Sequence, residues 1–304
     1  MTALDYRPLA ADELADRTAN RSCYLCGSTD AAVVFVDQGV PLRRCQACDH
    51  VYSSWSQDDD YDGYWDQGVT AADIDFWDGA HRAVFEQFVA DHLPAREGRL
   101  VDIGCGLGFF VDTMRRRKPG WQVDGYELAP GAVRFAHDHN GLGERVHLGR
   151  VEDGGIEPGS IDVVSLWDVI EHLPHPQPLL EHLRTLLKPD GFVFVQTPSW
   201  PFQIARARTI RALARGREDS RNHLYARDHV NQFSRRSLDR LASDCGFAPP
   251  TYDVLKPVLA VDGARNPLAV GAKLGLYHAT RAAWALSGHR VMANPTLFAT
   301  LRPA

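Results

Sequence analysis

A short strand that runs into a glycine-rich turn places the strongest constraint on how this chain folds. Residues 99–108 read Arg-Leu-Val-Asp-Ile-Gly-Cys-Gly-Leu-Gly, and Glu127 ends the next strand-like run. Glycine lets backbone approach a ligand closely because it has no Cβ. A carboxylate about 20 residues after such a turn lies where one βαβ unit presents it to a ribose diol. The pattern predicts a parallel α/β unit that binds a nucleoside-containing cofactor.

The spacing of the glycines narrows the class of cofactor. A dinucleotide fingerprint requires G-x-G-x-x-G, but Phe109 occupies the position of its last glycine. The sequence instead reads G-x-G-x-G with Asp102 just before it. This pattern resembles motif I of the Rossmann-like (class I) S-adenosylmethionine (SAM) methyltransferases. The alternative is a nucleotide-binding Rossmann unit of another kind, and Phe109 counts against it.

Two later segments extend this resemblance over about residues 99–248. Residues 161–173 are similar to the family's fourth strand and the loop after it, and residues 186–195 to its helix, turn and fifth strand. The resemblance implies an α/β fold: a doubly wound, mostly parallel seven-stranded sheet within a methyltransferase domain of residues 99–304. Insertions are expected at about 199–232 and 262–293, where family members line the acceptor pocket.

The resemblance also assigns roles in cofactor binding. The expected contacts are Asp102, Gly104, Gly106, Gly108, Glu127, Asp153, Tyr64 and Arg82. The three glycines would pass beside the methionyl part, and Asp102 would orient its ammonium group. Glu127 would accept both ribose hydroxyls, and Asp153 would meet the adenine amino group.

Residues 54–98 are interpreted as a linker and a helix that covers the cofactor. The helix is predicted from Asp73 to Leu93 because apolar residues recur there at helical spacing. In similar proteins such a helix closes over the methionine end, which makes Tyr64 and Arg82 candidate contacts. Core packing for the aromatic residues and solvent exposure for Arg82 are equally open.

Histidines are the candidates for a catalytic base. Transfer to an oxygen requires removal of its proton, and histidine is suited to that near neutral pH. His229 is ranked first because it lies in the insertion expected to meet the acceptor; His172 follows the fourth strand, and His223 is a third candidate. Asp168 would end the fourth strand and face the transfer site. A structural role remains the alternative for each histidine taken alone.

Four cysteines predict a metal site before this domain. Cys23-x-x-Cys26 and Cys45-x-x-Cys48 are separated by eighteen residues that read as a hairpin. Two such pairs are typical of a four-thiolate structural zinc ribbon with no open coordination position. The ribbon is assigned to residues 21–53, after a leader of residues 1–20. A rubredoxin-like iron site and a redox pair are the alternatives.

Composition limits the class of protein. The 304 residues are 44% hydrophobic and 24% charged, with a net charge of −6. These values are typical of a soluble globular protein, and the negative charge argues against a nucleic-acid partner. Neither a signal peptide nor an apolar run long enough for a membrane span is recognised. We therefore expect a cytoplasmic protein, and homo-oligomerisation is left open.

The expected function is SAM-dependent methyl transfer to a small-molecule or glycan acceptor. The glycine motif is similar to that of small-molecule and glycan O-methyltransferases, and the domain order to that of zinc-binding sugar C-methyltransferases. O-methylation of a sugar or glycan-bearing bacterial metabolite is therefore the leading interpretation. C- or N-methylation of another metabolite, or a non-catalytic SAM-binding or interaction module, are the alternatives.

Overall fold

The computed structural model describes residues 14, 17–18, 21–56, 65, 68–214, 224–259 and 267–304. The cysteine ribbon provides the first three strands: β1 (Ala31–Asp37), β2 (Val40–Cys45) and β3 (Val51–Ser53). A helical segment follows with α1 (Ala71–Ile74), a π-helix (Asp75–Ala80) and α2 (Arg82–Asp91). Tyr64 and His223 lie outside the described residues.

Strands and helices then alternate along the methyltransferase-like part of the chain. Its first half contains β4 (Arg99–Ile103), α3 (Phe109–Arg117), β5 (Gln122–Glu127), α4 (Pro130–Asp138), β6 (Val146–Leu148), β7 (Ile161–Trp167) and α5 (Gln177–Leu186). Its second half contains β8 (Leu187–Pro198), α6 (Trp200–Leu213), β9 (Asn231–Gln232), α7 (Arg235–Asp244), β10 (Thr251–Asp253), α8 (Pro267–Leu286) and β11 (Thr296–Leu301).

Seven strands form the central sheet in the order β10-β11-β8-β7-β4-β5-β6. The pairs from β8 to β6 are parallel, whereas β11 is antiparallel to both β8 and β10. Every residue of β7 is buried, as expected for a strand covered on both faces by helices. The predicted fold class, a doubly wound and mostly parallel seven-stranded sheet, is confirmed.

The ribbon sheet is completed by a strand from a distant part of the sequence. β9 pairs antiparallel with β3, so that Val51 faces Gln232 and Tyr52 faces Asn231. The sheet order is β1-β2-β3-β9. Tyr52 and the ligand cysteines belong to the same hydrophobic cluster as the central sheet. The ribbon and the methyltransferase-like part therefore share one core.

The helix predicted over residues 73–93 is interrupted. A π-helix separates α1 from α2, and the Nδ1 of His81 donates a hydrogen bond of 2.8 Å to the carbonyl of Phe76. The ring thereby satisfies a carbonyl in the segment where the regular helical pattern changes. Gly79 suits this bend because a Cβ there would lie 2.8 Å from the Asp75 carboxylate.

The large aromatic residues of α8 pack within the same chain. Tyr277 and Trp284 are buried in a cluster with Val254, and Tyr252 packs at its edge. Their partner is thus the segment around β10 of the same chain. Among the described residues, no helix combines the length and apolar character needed to cross a bilayer.

Candidate functional site

The glycine-rich turn opens into a cavity of about 390 Å³ at the carboxyl end of the parallel strands. This is where ligands bind in open α/β sheets. Residues predicted for the cofactor and for catalysis share its wall: Asp102, Gly104, Gly106, Glu127, Asp168 and His172. Aromatic side chains form much of the remaining wall: Trp65, Trp77, Phe85, Phe109, Phe110, Tyr126 and Trp167.

The three glycines of the turn have different roles. Gly106 has φ +53°, and a Cβ there would meet no atom within 4 Å, so it would project into open space beside the cavity. Gly104 has φ +62° and lies close to Val169. Gly108 caps α3 in the left-handed region, packs against Leu142 and does not line the cavity. Gly106 thus offers the closest backbone approach to a ligand.

Glu127 is held by backbone donors at the edge of the cavity. Its Oε2 accepts from the amide of Gly106 at 2.8 Å, and its Oε1 accepts from the amides of Leu128 and Ala129 at 2.8 and 2.9 Å. Burial raises the pKa of Glu127, although these three donors oppose the shift. The carboxylate is fixed in direction, and its remaining lone pairs can accept hydroxyl groups.

Asp102 is a buried acid at the end of β4. The Ser165 hydroxyl donates to its Oδ1 at 2.7 Å, and only 2% of the residue is exposed. Burial raises the pKa of Asp102 to about 8, and the nearby Glu127 carboxylate adds to the increase. A cation beside it would favour its charged form. The pair of acids therefore suits a ligand that carries both hydroxyl groups and a positive charge, as SAM does.

Besides Gly108, three of the predicted cofactor contacts lie away from this arrangement or outside the described residues. Asp153 is exposed and absent from the cavity wall, where its neighbour Glu152 stands instead. The Arg82 side chain is half exposed and pairs with Asp78 on its own helical segment. Tyr64 is not among the described residues. Of the segment predicted to cover the cofactor, residues 54–98, the side chains of Trp65, Trp77 and Phe85 line the cavity.

Asp168 lies at the other side of the cavity in an unusual backbone conformation. Its φ of +52° is in the left-handed region, which non-glycine residues rarely adopt. Gln196 donates to its Oδ2 at 2.7 Å, and the Nε2 of buried His81 lies 3.8 Å from the same oxygen. Burial would raise the pKa of Asp168, but His81 and Gln196 outweigh it and hold the pKa below its usual range.

His172 forms an ion pair with Asp228 at the cavity wall. The Nδ1 of His172 lies 3.0 Å from Oδ1 of Asp228, and the side chain of His172 is 19% exposed. Burial acts to lower the pKa of His172, but the Asp228 carboxylate outweighs it and raises the pKa to about 9. An aspartate on Nδ1 fixes the imidazole in one orientation.

His229 lies beside this pair without lining the cavity. Its ring contacts the ring of His172 edge-on at 4.7 Å between centroids. Burial and the neighbouring His172 lower the pKa of His229 to about 4. The structure thus brings two of the predicted histidines together and places His172 nearer to the cavity.

Sequence reasoning missed His81, Asp228 and Glu171. Glu171 is buried, accepts from the Thr197 hydroxyl at 2.9 Å, and has its pKa raised to about 8 by burial and by Asp168. Ligand atoms of Glu171, His172 and His229 lie within 4.8 Å of one another, a spacing that could hold a metal ion. The hydrogen bonds of Thr197 and Asp228 also account for this grouping without a metal.

The four ribbon cysteines form a second, separate cluster. Their sulfur atoms all lie within 4.8 Å of one another, with Cys23 Sγ and Cys48 Sγ 3.6 Å apart and Cys26 Sγ and Cys45 Sγ 3.5 Å apart. Tetrahedral zinc with bonds of about 2.3 Å requires sulfur–sulfur separations of about 3.8 Å. The donor set therefore fits structural zinc.

The two cysteine pairs have matching backbone turns. Gly27 follows the first pair with φ +72°, and Asp49 follows the second with φ +65°. Gly27 and Asp49 donate their amides to the carbonyls of Cys23 and Cys45. This repeated turn aims both thiols of each pair toward one point, as a zinc knuckle requires.

Comparison with known proteins assigns a family to this fold and site. A family model described as "Methyltransferase domain" matches residues 77–250. The chain is 35% identical to a ubiquinone biosynthesis O-methyltransferase of Xanthomonas euvesicatoria pv. vesicatoria (strain 85-10) over 115 residues, 36% of this chain and 47% of that protein. A Neisseria meningitidis serogroup C (strain 053442) protein of the same name is 34% identical over 115 residues, 36% of this chain and 48% of that protein. The chain spans about half the length of these curated relatives.

Two solved structures share the fold at low sequence identity. One is described as a complex between the Haloferax volcanii Trm112 methyltransferase activator and a putative methyltransferase. Its matched chain has a TM-score of 0.54 and 16% identity, covering 82% of this chain and 99% of that one. The other is a Haemonchus contortus phosphoethanolamine N-methyltransferase 2 with a TM-score of 0.50 and 17% identity, covering 84% of this chain and 62% of that one. Because the family model matches more than half of its length, this chain belongs to the methyltransferase-domain family of SAM-dependent, Rossmann-like proteins.

Proposed function

We propose that this protein is a SAM-dependent O-methyltransferase of a small hydroxylated molecule. One observation carries the proposal: a single cavity joins the acids Asp102 and Glu127 to Asp168 and the His172–Asp228 pair. The first two residues suit the cofactor, and the others suit an acceptor whose proton must leave. Such an arrangement has no evident use in a module that only binds a ligand.

The cofactor end of the cavity fits SAM through charge and shape. When bound, SAM supplies a methyl group activated by its sulfonium centre. Glu127 would accept the ribose hydroxyls, since its backbone donors already fix its direction. Asp102 would pair with the ammonium group, and Gly106 leaves room beside the methionyl part. These residues would align the donor with the acceptor, and such orientation supplies much of the rate acceleration in displacement reactions.

The acceptor end of the cavity suits removal of a proton from oxygen. Asp228 engages Nδ1 of His172, so proton transfer with the acceptor would fall to Nε2. A base whose pKa is about 9 has a strong affinity for the proton it removes. We therefore propose His172 as the base and Asp228 as the residue that positions it. His229, which the sequence ranked first, would instead pack against the ring of His172.

The class of acceptor is proposed from the cavity wall and the relatives. Trp65, Trp77, Phe85 and Trp167 give the cavity an apolar, aromatic wall. The curated relatives are named as O-methyltransferases of ubiquinone biosynthesis. Both features favour a hydroxyl on an apolar, ring-bearing molecule such as a phenol. The sugar or glycan-bearing acceptor expected from the sequence also stacks on aromatic rings, and it is the second candidate.

A transfer assay tests the function and separates the two acceptor classes. Purified protein with methyl-tritiated SAM would be offered a panel of catechols and other phenols and a panel of sugars and glycosides. We expect label in an ether product of the phenol panel, identified by the mass of one added methyl group. Label only in the sugar panel would establish the second candidate. Label found only on a carbon or nitrogen atom of these compounds, or on none of them, would contradict O-methylation.

Replacing Glu127 by alanine is expected to weaken SAM binding. The change removes a charged acceptor of the ribose hydroxyls, and hydrogen bonds to charged groups contribute about 1.5–3 kcal/mol each. Because every 1.4 kcal/mol corresponds to about tenfold in affinity, the Kd for SAM should rise by about 10- to 100-fold. Titration calorimetry measures this. Glu144→Ala, at an exposed glutamate, is the control, and equal SAM affinity in both variants would contradict the assignment of Glu127.

A further inference from the structure

The zinc ribbon touches the loop that bears the proposed base. This post-β7 loop, residues 168–176, lies between β7 and α5 and carries Glu171 and His172. The second cysteine pair leads directly into His50, whose carbonyl accepts from the amide of Cys45 at 2.9 Å. His50 is fully buried, and its Nε2 lies 2.7 Å from Oδ1 of Asn231. An amide oxygen only accepts, so His50 donates this hydrogen bond.

Asn231 joins the ribbon to two backbone carbonyls of the post-β7 loop. Its backbone amide donates to the carbonyl of Glu171 at 2.9 Å, and its side-chain Nδ2 donates to the carbonyl of Leu173 at 2.5 Å. These carbonyls flank His172. With Oδ1 accepting from His50, the Asn231 amide is held at both ends, and the residue is 1% exposed. Because the residue is buried, water cannot replace His50 or the Leu173 carbonyl as its partner. The orientation of the Asn231 side chain is therefore fixed.

The first cysteine pair contacts the same loop at its other end. Gln177, the first residue of α5, donates from its side chain to the carbonyl of Tyr24 at 2.8 Å. The ring of Tyr24 meets the ring of His175 edge-on at 5.4 Å and that of Tyr52 at 5.6 Å. The first knuckle thus contacts the segment after the proposed base directly, and the second reaches the residues on either side of the base through His50 and Asn231.

We propose that Asn231 is a positioning residue through which the folded zinc ribbon holds the post-β7 loop, and with it His172, in place for methyl transfer. The ribbon would then be part of the catalytic framework as well as a structural domain. The same strand pairing that attaches β9 to β3 also places Asp228 and His229, three and two residues before Asn231, beside His172. Unfolding of the ribbon would therefore free Asp228 and His229, the two residues that contact His172, at the same time.

The inference rests on the proposed function only for its turnover measurement, because loop order can be measured without any acceptor. Hydrogen–deuterium exchange of residues 168–176 reports directly on whether the loop is held. In Asn231→Ala we expect faster exchange of these amides and a fall in kcat of about 10²-fold, since small misplacements of a reacting group have effects of that size. The Kd for SAM should stay within about twofold, because Asp102 and Glu127 lie on other strands.

Four further samples make the test specific. His50→Ala should also speed exchange of the loop, whereas His50→Gln, which keeps a side-chain donor, should restore slow exchange at least in part. Removal of zinc from the wild-type protein by a chelator should reproduce the His50→Ala pattern. Arg208→Ala is the control, because Arg208 donates from α6 to the ribbon carbonyl of Val34 and does not contact the loop.

The outcomes separate this inference from the proposed function. Unchanged exchange of residues 168–176 in Asn231→Ala, or in both His50→Ala and the zinc-free protein, would overturn the positioning role. If Asn231→Ala does not fold, the His50 pair decides the question. Absence of methyl transfer by the wild-type protein would overturn the function, while the exchange data would still establish or refute the link between ribbon and loop.

Discussion

Replacing His172 by alanine is expected to lower kcat by about 10²–10⁴-fold, the usual contribution of a general base. The imidazole lines the cavity and is oriented by Asp228 on Nδ1. Alanine removes the group that would take the acceptor's proton and leaves Asp102 and Glu127 unchanged. The Kd for SAM should therefore stay nearly constant. Single-turnover kinetics at saturating SAM, together with calorimetry, would measure the two effects separately.

Turnover should change with pH in a direction that is set by the pKa of His172. A base must be unprotonated to act, and the pKa of His172 is raised to about 9. Turnover should therefore increase with pH up to about 9 and then level off. Asp228→Asn removes the carboxylate that raises the pKa, so the inflection should move to lower pH. The inflection should be absent from His172→Ala. Repeating the profile with and without added Mg²⁺, which leaves the ribbon zinc in place, would show whether a metal ion contributes at Glu171, His172 and His229.

His229→Ala is the matched comparison for the two histidines. His229 contacts His172 but does not line the cavity, so its loss should reduce kcat by no more than about tenfold. A larger loss in His229→Ala than in His172→Ala would reverse the assignment and restore the ranking made from the sequence. Equal and small losses in both would argue for an acceptor that needs no histidine base.

The parts of the fold that the sequence predicted are those whose signals are local. The strand, glycine turn and acid from Asp102 to Glu127 lie within one βαβ unit, so the chain itself brings them together. The hairpin between the cysteine pairs is likewise contiguous, with β1 and β2 joined by a tight turn. In both segments the residue types that determine the backbone conformation lie close together in the sequence, so their spacing alone predicts the local structure.

The partners of the base could not be found in this way. Asp228 is 56 positions from His172, and its pairing depends on how β9 returns to the ribbon. His81 comes near Asp168 because a π-helix changes the direction of its side chain, and no sequence pattern marks that change. Asn231 meets His50 across 181 positions. A single sequence contains no signal for such contacts, since each residue type is common in unrelated settings.

Replacing Cys45 by serine is expected to abolish zinc binding and to unfold the ribbon. Metal binding to such sites contributes on the order of 10 kcal/mol of folding free energy in isolated zinc peptides. That is comparable with the whole stability of a typical domain, about 5–15 kcal/mol. The ribbon shares one core cluster with the central sheet, but a second large cluster of that sheet contains no ribbon residue, so the sheet should stay folded when the ribbon unfolds. The zinc content should fall from about one per chain to near zero, with rapid amide exchange confined at first to residues 21–56.

Cys245→Ser provides the control for this change. It makes the same chemical substitution at a cysteine that is also buried but lies in α7's C-terminal cap, away from the four-sulfur cluster. It should retain zinc and slow exchange in the ribbon. If Cys45→Ser kept its zinc and its protected ribbon amides, the assignment of a four-thiolate site would be wrong.

Because β3 and β9 share a sheet, unfolding of the ribbon would also release the strand that follows Asp228 and His229. We therefore expect turnover to fall together with zinc content, while SAM affinity persists on the other strands.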